Sequence, residues 1–204
     1  MQWPSSLRRR RDKSVVLVSP RFALKSNATT MLASKMSQSK HWVPDDVQLW
    51  RIISSPIGPI LVVVSEVGVQ HIDFLDETKA QSLLLTASEP LHPILQQTLH
   101  QLSEYFVGSR AEFELPLDLG GTDFQREAWL ALARIPFGRT ATYAEQAASI
   151  GRPRAVRAIG VANSKNPVAI VLPCHRVIGA DGSLTGYAGG IDKKKWLLDH
   201  ERRR

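Results

Sequence analysis

The stretch "TYAEQAASIGRPRAVRAIGVAN", residues 142–163, decides how the C-terminal half of the chain folds. Thr142 followed three residues later by Glu145 is a capping box, which predicts the start of a short helix. Gly151 ends that helix, and Pro153 suits the first position of a second helix that runs to the end of the stretch. Two helices joined by a short glycine-containing turn are typical of a helix-turn-helix.

The second of these helices combines arginines with small residues. Small side chains let a helix backbone approach a nucleic-acid groove closely, and arginines contact phosphates or reach between bases. The alternative is a helix packed in the core with surface arginines, because helix-turn-helix shapes also occur in proteins that bind no DNA. The candidate DNA-binding residues of this helix and the turn before it are Arg152, Arg154, Ala155, Arg157, Ala158 and Gly160.

Upstream of the helix-turn-helix, the sequence predicts two more helices and a separate β unit. "TDFQ", residues 122–125, is a second capping box, and the helix it begins stops at Pro136. Residues 47–75 hold three β-branched and aromatic runs separated by turn residues, which predicts a three-stranded antiparallel meander. Residues 93–107 place apolar side chains on one helical face, and 108–121 is expected to connect the two units.

Downstream, the apolar run "VAIVL", residues 168–172, is expected to be a buried extended segment that leads into "PCHR". A final short helix is expected over "KKKWLLDHE", residues 193–201. Cys174 is the only cysteine of the 204 residues, which excludes an internal disulfide and any cysteine-rich zinc site. The six histidines lack ligand spacing, so we expect no metal.

Cys174 is followed directly by His175, a pair that suits nucleophilic catalysis. A thiol with a reference pKa of ~8.5 is only a few per cent thiolate at neutral pH, so a nucleophilic cysteine needs a base or a positive field. In an extended chain the two side chains point to opposite sides, so His175 would act through a water or a local bend. The alternative is a buried, inert cysteine. A carboxylate that orients His175 could be Asp181, Asp192, Asp199 or Glu201.

Charge is divided unevenly along the chain. Residues 1–41 carry nine Lys/Arg against one acidic residue, residues 42–120 three against eleven, and residues 121–204 fourteen against seven. A basic unit after an acidic one suggests that the basic unit faces a polyanion. The basic, Ser-rich first 41 residues fit a disordered arm, a transit peptide, or the product of an upstream start with Met31 or Met36 as the true first residue.

These features together resemble the O6-methylguanine-DNA methyltransferase family. The resemblance covers about residues 47–201 and is most specific over 122–201. "SSPIGPILVVVSEVGV" resembles the start of the family's N-terminal domain. The matching C-terminal segments, in the family's order, are "TDFQREAW", "IPFGRTATYAE", "IGRPRAVRAIGVAN", "NPVAIVLPCHRVIG", "GSLTGYAGG" and "KKKWLLDHE".

The resemblance implies an α/β protein of two domains, with a ribonuclease-H-like N-terminal domain and a mostly helical C-terminal domain that contains the helix-turn-helix. It also implies an irreversible transfer of an alkyl group from guanine O6, or thymine O4, to the protein's own cysteine, once per molecule and without a cofactor. The partner is double-stranded DNA carrying O6-alkylguanine. We expect a basic extension at 1–41, an N-terminal domain at 42–115 and a C-terminal domain at 116–204.

The resemblance also implies roles for individual residues. Cys174 is the alkyl acceptor, His175 takes its proton through a water, and Glu201 hydrogen-bonds His175. Tyr143 helps to expel the base and donates to the departing guanine, while Asn166 fixes the turn near the active site.

The remaining implied contacts are to DNA and to the flipped base. Arg157 would insert where the base was stacked, and the "GYAGG" loop would form the wall of the base pocket. The full set of expected DNA and base contacts is Arg152, Arg154, Ala155, Arg157, Ala158, Gly160, Arg176, Tyr187, Ala188 and Gly189.

Two other classes of protein fit parts of this pattern. A lesion sensor would bind DNA without transfer, and a cysteine hydrolase using Cys174 and His175 would turn over without DNA. The sequence has no apolar run of about 18 residues. We therefore expect no membrane segment. We also expect a monomer, located in the cytoplasm, or in the nucleus if the source is eukaryotic.

Overall fold

The computed structural model describes residues 49–84 and 92–203, and the basic extension lies outside them. The N-terminal unit has three strands, β1 (Trp50–Ile53), β2 (Ile60–Val64) and β3 (Val69–Phe74), followed by helices α1 (Glu77–Leu84) and α2 (Pro93–Phe106). The strands form an antiparallel sheet in the order β1-β2-β3, which confirms the predicted meander. Helix α1 was not predicted.

Strand β2 is apolar throughout because both faces of the sheet are covered. Ile60, Val62 and Val64 pack in the main core, which includes α2, whereas Leu61 and Val63 pack in a smaller cluster with residues that include α1. All five side chains are buried. Alternate residues of a strand point to opposite faces, so a strand covered on both sides needs a continuous apolar run.

The C-terminal unit is mostly helical. It contains α3 (Asp123–Leu132), α4 (Tyr143–Ser149), α5 (Val156–Asn163) and α6 (Ile191–Arg202). Two short strands, β4 (Ala141–Thr142) and β5 (Val177–Ile178), pair in parallel. Both predicted capping boxes are present, with reciprocal hydrogen bonds at the starts of α3 and α4. The molecule therefore has the predicted mixed α/β fold with a helical C-terminal unit.

The structure corrects the predicted start of the second helix of the helix-turn-helix. Helix α5 begins at Val156, and Pro153 lies in a preceding turn rather than at the first helical position. The turn is closed by the Ala155 amide, which donates to the Arg152 carbonyl at 2.9 Å. Proline fixes φ near −65°, a value that a turn accepts as readily as a helix, so the sequence signal did not separate the two.

The apolar run before Cys174 is a turn, not the extended segment that the sequence predicts. Only its first residues dock on the edge of β3, where the Ile72 amide donates to the Pro167 carbonyl at 2.9 Å and the Ala169 amide donates to the Ile72 carbonyl at 3.0 Å. The chain then turns through Ile170, whose φ is +72°. An apolar run of five residues indicates burial but does not distinguish a strand from a buried turn.

Two bridges hold the units together along β3. Val69 pairs with Leu117 of the connecting segment, and Ile72 pairs with Val168 just before the turn that carries Cys174. Both pairings use the outer edge of the sheet, which would otherwise leave unpaired backbone groups. The N-terminal sheet thereby fixes the base of the cysteine-bearing turn. None of the described helices has the length and apolarity needed to cross a membrane.

A buried amide pair holds the helix-turn-helix together. Asn163 Nδ2 donates to Gln146 Oε1 at 2.7 Å, and Gln146 Nε2 donates to Asn163 Oδ1 at 3.1 Å and to the Ala128 carbonyl at 2.9 Å. Trp129 Nε1 donates to the Ala162 carbonyl at 2.8 Å. These bonds connect α3, α4 and α5 and fix the orientation of α5.

We expect Asn163→Ala to lower the free energy of unfolding by about 1–3 kcal/mol, because it leaves Gln146 Oε1 buried without a donor. Urea denaturation measures the effect. Ser164→Ala is the matched control on the exposed neighbour and should change the free energy of unfolding by less than about 0.5 kcal/mol. Equal stability of the two variants would contradict the role given to the amide pair.

Candidate active site

Cys174 begins a single turn of 3-10 helix, Cys174–Arg176, shortly after the buried turn over residues 168–172. Its side chain is 9% exposed, and its amide donates to the Leu172 carbonyl at 2.8 Å. The 3-10 geometry is the local bend that the sequence left open, because three residues per turn no longer send neighbouring side chains to opposite sides. All three residues of the turn are buried, and Cys174 also lines a cavity.

Asn166 holds the thiol from the other side of the turn. Its Nδ2 donates to the Leu172 carbonyl at 2.7 Å and lies 3.2 Å from Cys174 Sγ, and its Oδ1 accepts from the Val168 amide at 3.1 Å. One side chain thus fixes both ends of the turn and also donates to sulfur. A donor to sulfur favours the thiolate.

His175 points into the core, where it meets Glu201 of α6. His175 Nε2 lies 2.8 Å from Glu201 Oε1, and both side chains are fully buried. Of the four carboxylates that the sequence left open, the structure therefore selects Glu201 as the partner of His175. Asp181 instead accepts from Ser183, and Asp199 pairs with Lys195.

The Glu201 carboxylate accepts five hydrogen bonds. Oε1 accepts from the Tyr105 hydroxyl and His175 Nε2, both at 2.8 Å, and from Arg176 Nη2 at 3.0 Å. Oε2 accepts from Arg176 Nε at 2.9 Å and from the Gly138 amide at 3.1 Å. A buried carboxylate with this many donors is held ionised.

The position of Arg176 does not fit the expected DNA contact and corrects it. Its guanidinium is 6% exposed, pairs with both oxygens of Glu201, donates to the Ile135 carbonyl at 2.6 Å, and lies over the Phe137 ring. A planar fork matches a carboxylate in this way, and the pair is shielded from solvent. Arg176 is thus the internal counter-ion of Glu201.

Burial and these contacts set the protonation states. Burial alone would raise the pKa of Glu201, but His175 and Arg176 outweigh it and lower the pKa to about 2. Burial lowers the pKa of His175, although Glu201 opposes this, so the ring is neutral at pH 7. Because the Glu201 carboxylate can only accept, Nε2 of the neutral ring carries the proton and Nδ1 is the basic nitrogen. Within the described part of the chain, Nδ1 has no hydrogen-bond partner.

Burial raises the pKa of the Cys174 thiol, while Asn166 and the nearby cation of Lys194 oppose the shift. Lys194 is fully buried on α6, and its Nζ donates to the carbonyls of Val177 and Thr185 at 2.6 and 2.9 Å. The free protein therefore stores the sulfur as a thiol beside groups that favour its ionised form.

Tyr143, the first residue of α4, approaches the site from the helix-turn-helix. Its hydroxyl donates to the Thr185 carbonyl at 3.2 Å, and a Cβ at Gly186 would lie 3.7 Å from the same hydroxyl. Burial raises the pKa of Tyr143, so the hydroxyl keeps its proton. Tyr143 and Lys194 share the Thr185 carbonyl as acceptor, which fixes the loop before Tyr187.

A cavity of about 480 Å³ opens beside Cys174. Tyr187, Ala188 and Gly189 form one wall, as the sequence predicts for the "GYAGG" loop, and Phe74 of the N-terminal sheet contributes another. A Cβ at Gly189 would lie 2.6 Å from Phe74 Cδ2, so only glycine lets the loop pack this close to that ring. The cavity lies within the size range of small-molecule sites, roughly 300–1,000 Å³.

The helix-turn-helix places most of the predicted DNA-binding residues at the surface. Arg154, Arg157 and Ala158 are exposed. Gly160 faces the Tyr143 ring, and a Cβ at Gly160 would lie 3.9 Å from Cε1 of that ring. Ala155, half-buried, is the N-cap residue of α5 and makes no side-chain cap. Arg152 differs from the others, because it pairs with Glu127 at 3.0 Å and lies over the Phe124 ring.

Sequence reasoning missed three groups of this site. Tyr105 comes from the N-terminal unit, Gly138 contributes only its backbone amide, and Lys194 is one of three adjacent lysines of which one is buried. No short-range pattern marks any of them. A repeating apolar face marks α2, but it places Tyr105 in the core without showing which polar group its hydroxyl meets.

A helix-turn-helix, a buried His175–Glu201 pair next to a cysteine and a cavity at the thiol are the features expected of a cysteine-dependent protein that acts on DNA bases. Sequence models of 6-O-methylguanine DNA methyltransferase match this chain twice, the ribonuclease-like domain over residues 49–119 and the DNA-binding domain over residues 123–203. The chain belongs to this family.

Individual relatives agree with this assignment. A methylated-DNA–protein-cysteine methyltransferase of Methanosarcina barkeri is 51% identical over 150 residues, 74% of this chain and 94% of the relative. One from Mycobacterium bovis is 45% identical over 155 residues, 76% of this chain and 93% of the relative.

Solved structures agree as well. The crystal structure of Mycobacterium tuberculosis O6-methylguanine methyltransferase is 45% identical, covers 76% of this chain and 93% of its own, and has a TM-score of 0.67. The crystal structure of Mycobacterium tuberculosis OGT in complex with DNA is 43% identical, covers 76% of this chain and 92% of its own, and has a TM-score of 0.66.

We expect Glu201→Gln to lower the free energy of unfolding at pH 7 by on the order of 3 kcal/mol, because Arg176 loses its counter-ion. The pKa of Glu201 is lower in the folded protein than the ordinary 4.5, so its ionised form stabilises the fold above about pH 4.5. That stability is lost as the pH falls through about 2. The difference between wild type and variant should therefore narrow with acidification.

Urea denaturation at a series of pH values measures this difference. Glu112→Gln is the matched control, because Glu112 is exposed. A difference between wild type and Glu201→Gln that stays constant from pH 7 to pH 3 would contradict the ionised state of Glu201.

Proposed function

We propose that this chain repairs DNA by transferring an alkyl group from O6 of guanine, and possibly from O4 of thymine, directly and irreversibly to Cys174. Membership of the family supports DNA repair by alkyl transfer to a cysteine of this chain. The observation that supports Cys174 as the acceptor is its place at the cavity, with Asn166 Nδ2 3.2 Å from the sulfur and the His175–Glu201 pair directly behind it.

The transfer is a single displacement at carbon. The sulfur lone pair forms the S–C bond to the methyl group while the O6–C bond breaks, and its electron pair stays on guanine. The thiol proton leaves sulfur, and one proton ends on guanine, so a thiol and O6-methylguanine give a thioether and guanine. A thioether has no ready leaving group, so each molecule acts once.

His175 is proposed to take the thiol proton through a water. Its Nδ1 is the basic nitrogen because Glu201 fixes the proton on Nε2, and the neutral ring can accept. The raised pKa of Cys174 makes such a base necessary, since burial keeps the sulfur protonated. Asn166 and Lys194 then stabilise the thiolate that forms, by a hydrogen bond and by charge.

Tyr143 is proposed to donate to the departing guanine. Burial keeps its hydroxyl protonated, and a donor aimed at the developing anion stabilises the transition state. Its present acceptor, the Thr185 carbonyl, lies at 3.2 Å and is easily exchanged for a base nitrogen.

The lesion reaches Cys174 only if the nucleotide leaves the base stack, because a thiol cannot approach O6 inside a duplex. The cavity beside Cys174 would take the extruded base between Tyr187, Ala188 and Gly189. Arg157, exposed on α5, would fill the gap in the stack, and Arg154 would contact phosphate. The small residues Ala155, Ala158 and Gly160 would let the helix backbone approach the groove, and Arg152 would add a phosphate contact.

We further propose that the protein acts as a monomer, because the thiol, the His175–Glu201 pair and the cavity are brought together within one chain. A reducing compartment, the cytoplasm or a eukaryotic nucleus, would keep the single thiol available.

The decisive experiment follows labelled methyl from a duplex containing O6-methylguanine to the protein until transfer stops. Wild type should saturate at one equivalent per chain, and Cys174→Ser should carry no label. Cys174→Ser should still bind the duplex, which serves as the control for folding.

Label on Cys174→Ser would contradict the assigned acceptor. Binding of the lesion without transfer by wild type would make the chain a lesion sensor, and continued product beyond one equivalent would make it a hydrolase.

A further inference from the structure

Tyr105 connects the N-terminal unit to the proposed reaction centre. It lies on α2, 96 residues before Glu201 in the chain, and its hydroxyl donates to Glu201 Oε1 at 2.8 Å. The side chain is fully buried. Tyr105 thus brings a residue of the N-terminal unit to the Glu201 carboxylate, whereas the cysteine and the helix-turn-helix belong to the C-terminal unit.

The shared oxygen makes this contact chemically relevant. Glu201 Oε1 accepts from Tyr105 and from His175 Nε2 at the same distance, 2.8 Å. Each donor withdraws charge from an acceptor, so a second strong donor weakens the bond that the first can make. The Tyr105 hydroxyl therefore competes with His175 for the charge on Oε1.

We propose that Tyr105 is a positioning residue for alkyl transfer, whose hydroxyl holds Glu201 Oε1 and limits how strongly Glu201 binds the protonated form of His175. The inference rests on the proposed function, in which His175 takes the thiol proton. It gives the N-terminal unit an indirect part in the chemistry, through the contact of α2 with Glu201.

The direction of the effect follows from the groups around His175. The titratable and charged groups that face this cluster are Glu201, Lys194 and His200 from α6, Cys174 and Arg176 from the 3-10 turn, Tyr187 from the loop before α6, and Tyr105 from α2. Burial and the two cations disfavour the imidazolium, and Glu201 favours it. Removing the Tyr105 hydroxyl leaves more charge on Oε1 for His175 and shifts that balance towards the imidazolium.

Tyr105→Phe removes the hydroxyl and keeps the ring. The ring packs against Phe106, Phe113, Phe137 and His200, with centroids 5.2–6.2 Å away. Glu201 keeps its bonds to His175, Arg176 and the Gly138 amide. The variant therefore isolates the hydroxyl from the packing.

Two readouts on the full chain test the proposal. Proton NMR follows the titration of His175, identified among the six histidines by the resonance that a His175→Asn variant lacks. Single-turnover methyl transfer from an O6-methylguanine duplex, measured from pH 5 to pH 8, gives the acid limb of the rate profile.

We expect Tyr105→Phe to raise the pH of both transitions by roughly half a unit to one unit, a fraction of the effect of a full neighbouring charge. On the acid limb this corresponds to transfer about three- to tenfold slower than in wild type at the same pH. Phe106→Leu is the matched control. Phe106 lies next to Tyr105 on α2 and packs against the rings of Tyr105 and Trp196. Its side chain has no group that could donate to Glu201, so the substitution should lower stability without moving either transition.

Identical His175 titrations and acid limbs in wild type and Tyr105→Phe would overturn the proposal, as would an equal shift in Phe106→Leu, which would reveal a packing effect. The NMR titration does not depend on transfer. An upward shift with no transfer by wild type would therefore count against the proposed function and leave the Tyr105–His175 coupling supported.

Discussion

The buried carboxylate of Glu201 is the constraint on which the rest of the site depends. An ionised carboxylate inside a protein is costly unless hydrogen bonds and an opposite charge compensate it. Here Tyr105, His175, Arg176 and the Gly138 amide supply five bonds. Those partners come from α2, the 3-10 turn and the loop after α3, so a single group orients both units around the thiol.

The same constraint explains how a buried cysteine can react. Burial raises the pKa of Cys174 and protects the thiol in the free protein. The groups that favour thiolate, Asn166 and Lys194, are already in place, and Glu201 leaves the basic nitrogen of His175 available. In the proposed transfer, the reactivity of Cys174 would depend on removal of its proton rather than on a rearrangement of the turn.

Local patterns in the sequence were sufficient for much of the fold. The capping boxes at Thr122 and Thr142 and the β-branched and aromatic runs of 47–75 specify structure locally, and these elements were predicted. The turn over 168–172 was missed because its geometry depends on Ile72, a distant neighbour on β3. Local signals carry no information about such long-range pairing.

The candidate site likewise contains residues that the local sequence indicates and residues whose partners depend on tertiary packing. Cys174 and His175 are adjacent and could be proposed together from the sequence, and the family resemblance added Asn166, eight residues before Cys174. Glu201 could not be separated from three other carboxylates by spacing. Arg176 was assigned to DNA because the local sequence of a basic unit does not show which arginine pairs with a buried carboxylate. Their partnership is a tertiary property, visible only once α6 packs against the 3-10 turn.

The central claim is that Glu201 fixes His175 as a neutral ring with its proton on Nε2. Long-range proton–nitrogen correlation NMR of the full chain at pH 7 reports directly which ring nitrogen of His175 carries the proton. The account predicts a protonated Nε2 and an unprotonated Nδ1. A proton on Nδ1, or an imidazolium with both nitrogens protonated, would contradict it, because His175 would then have no basic nitrogen to accept the proton of Cys174.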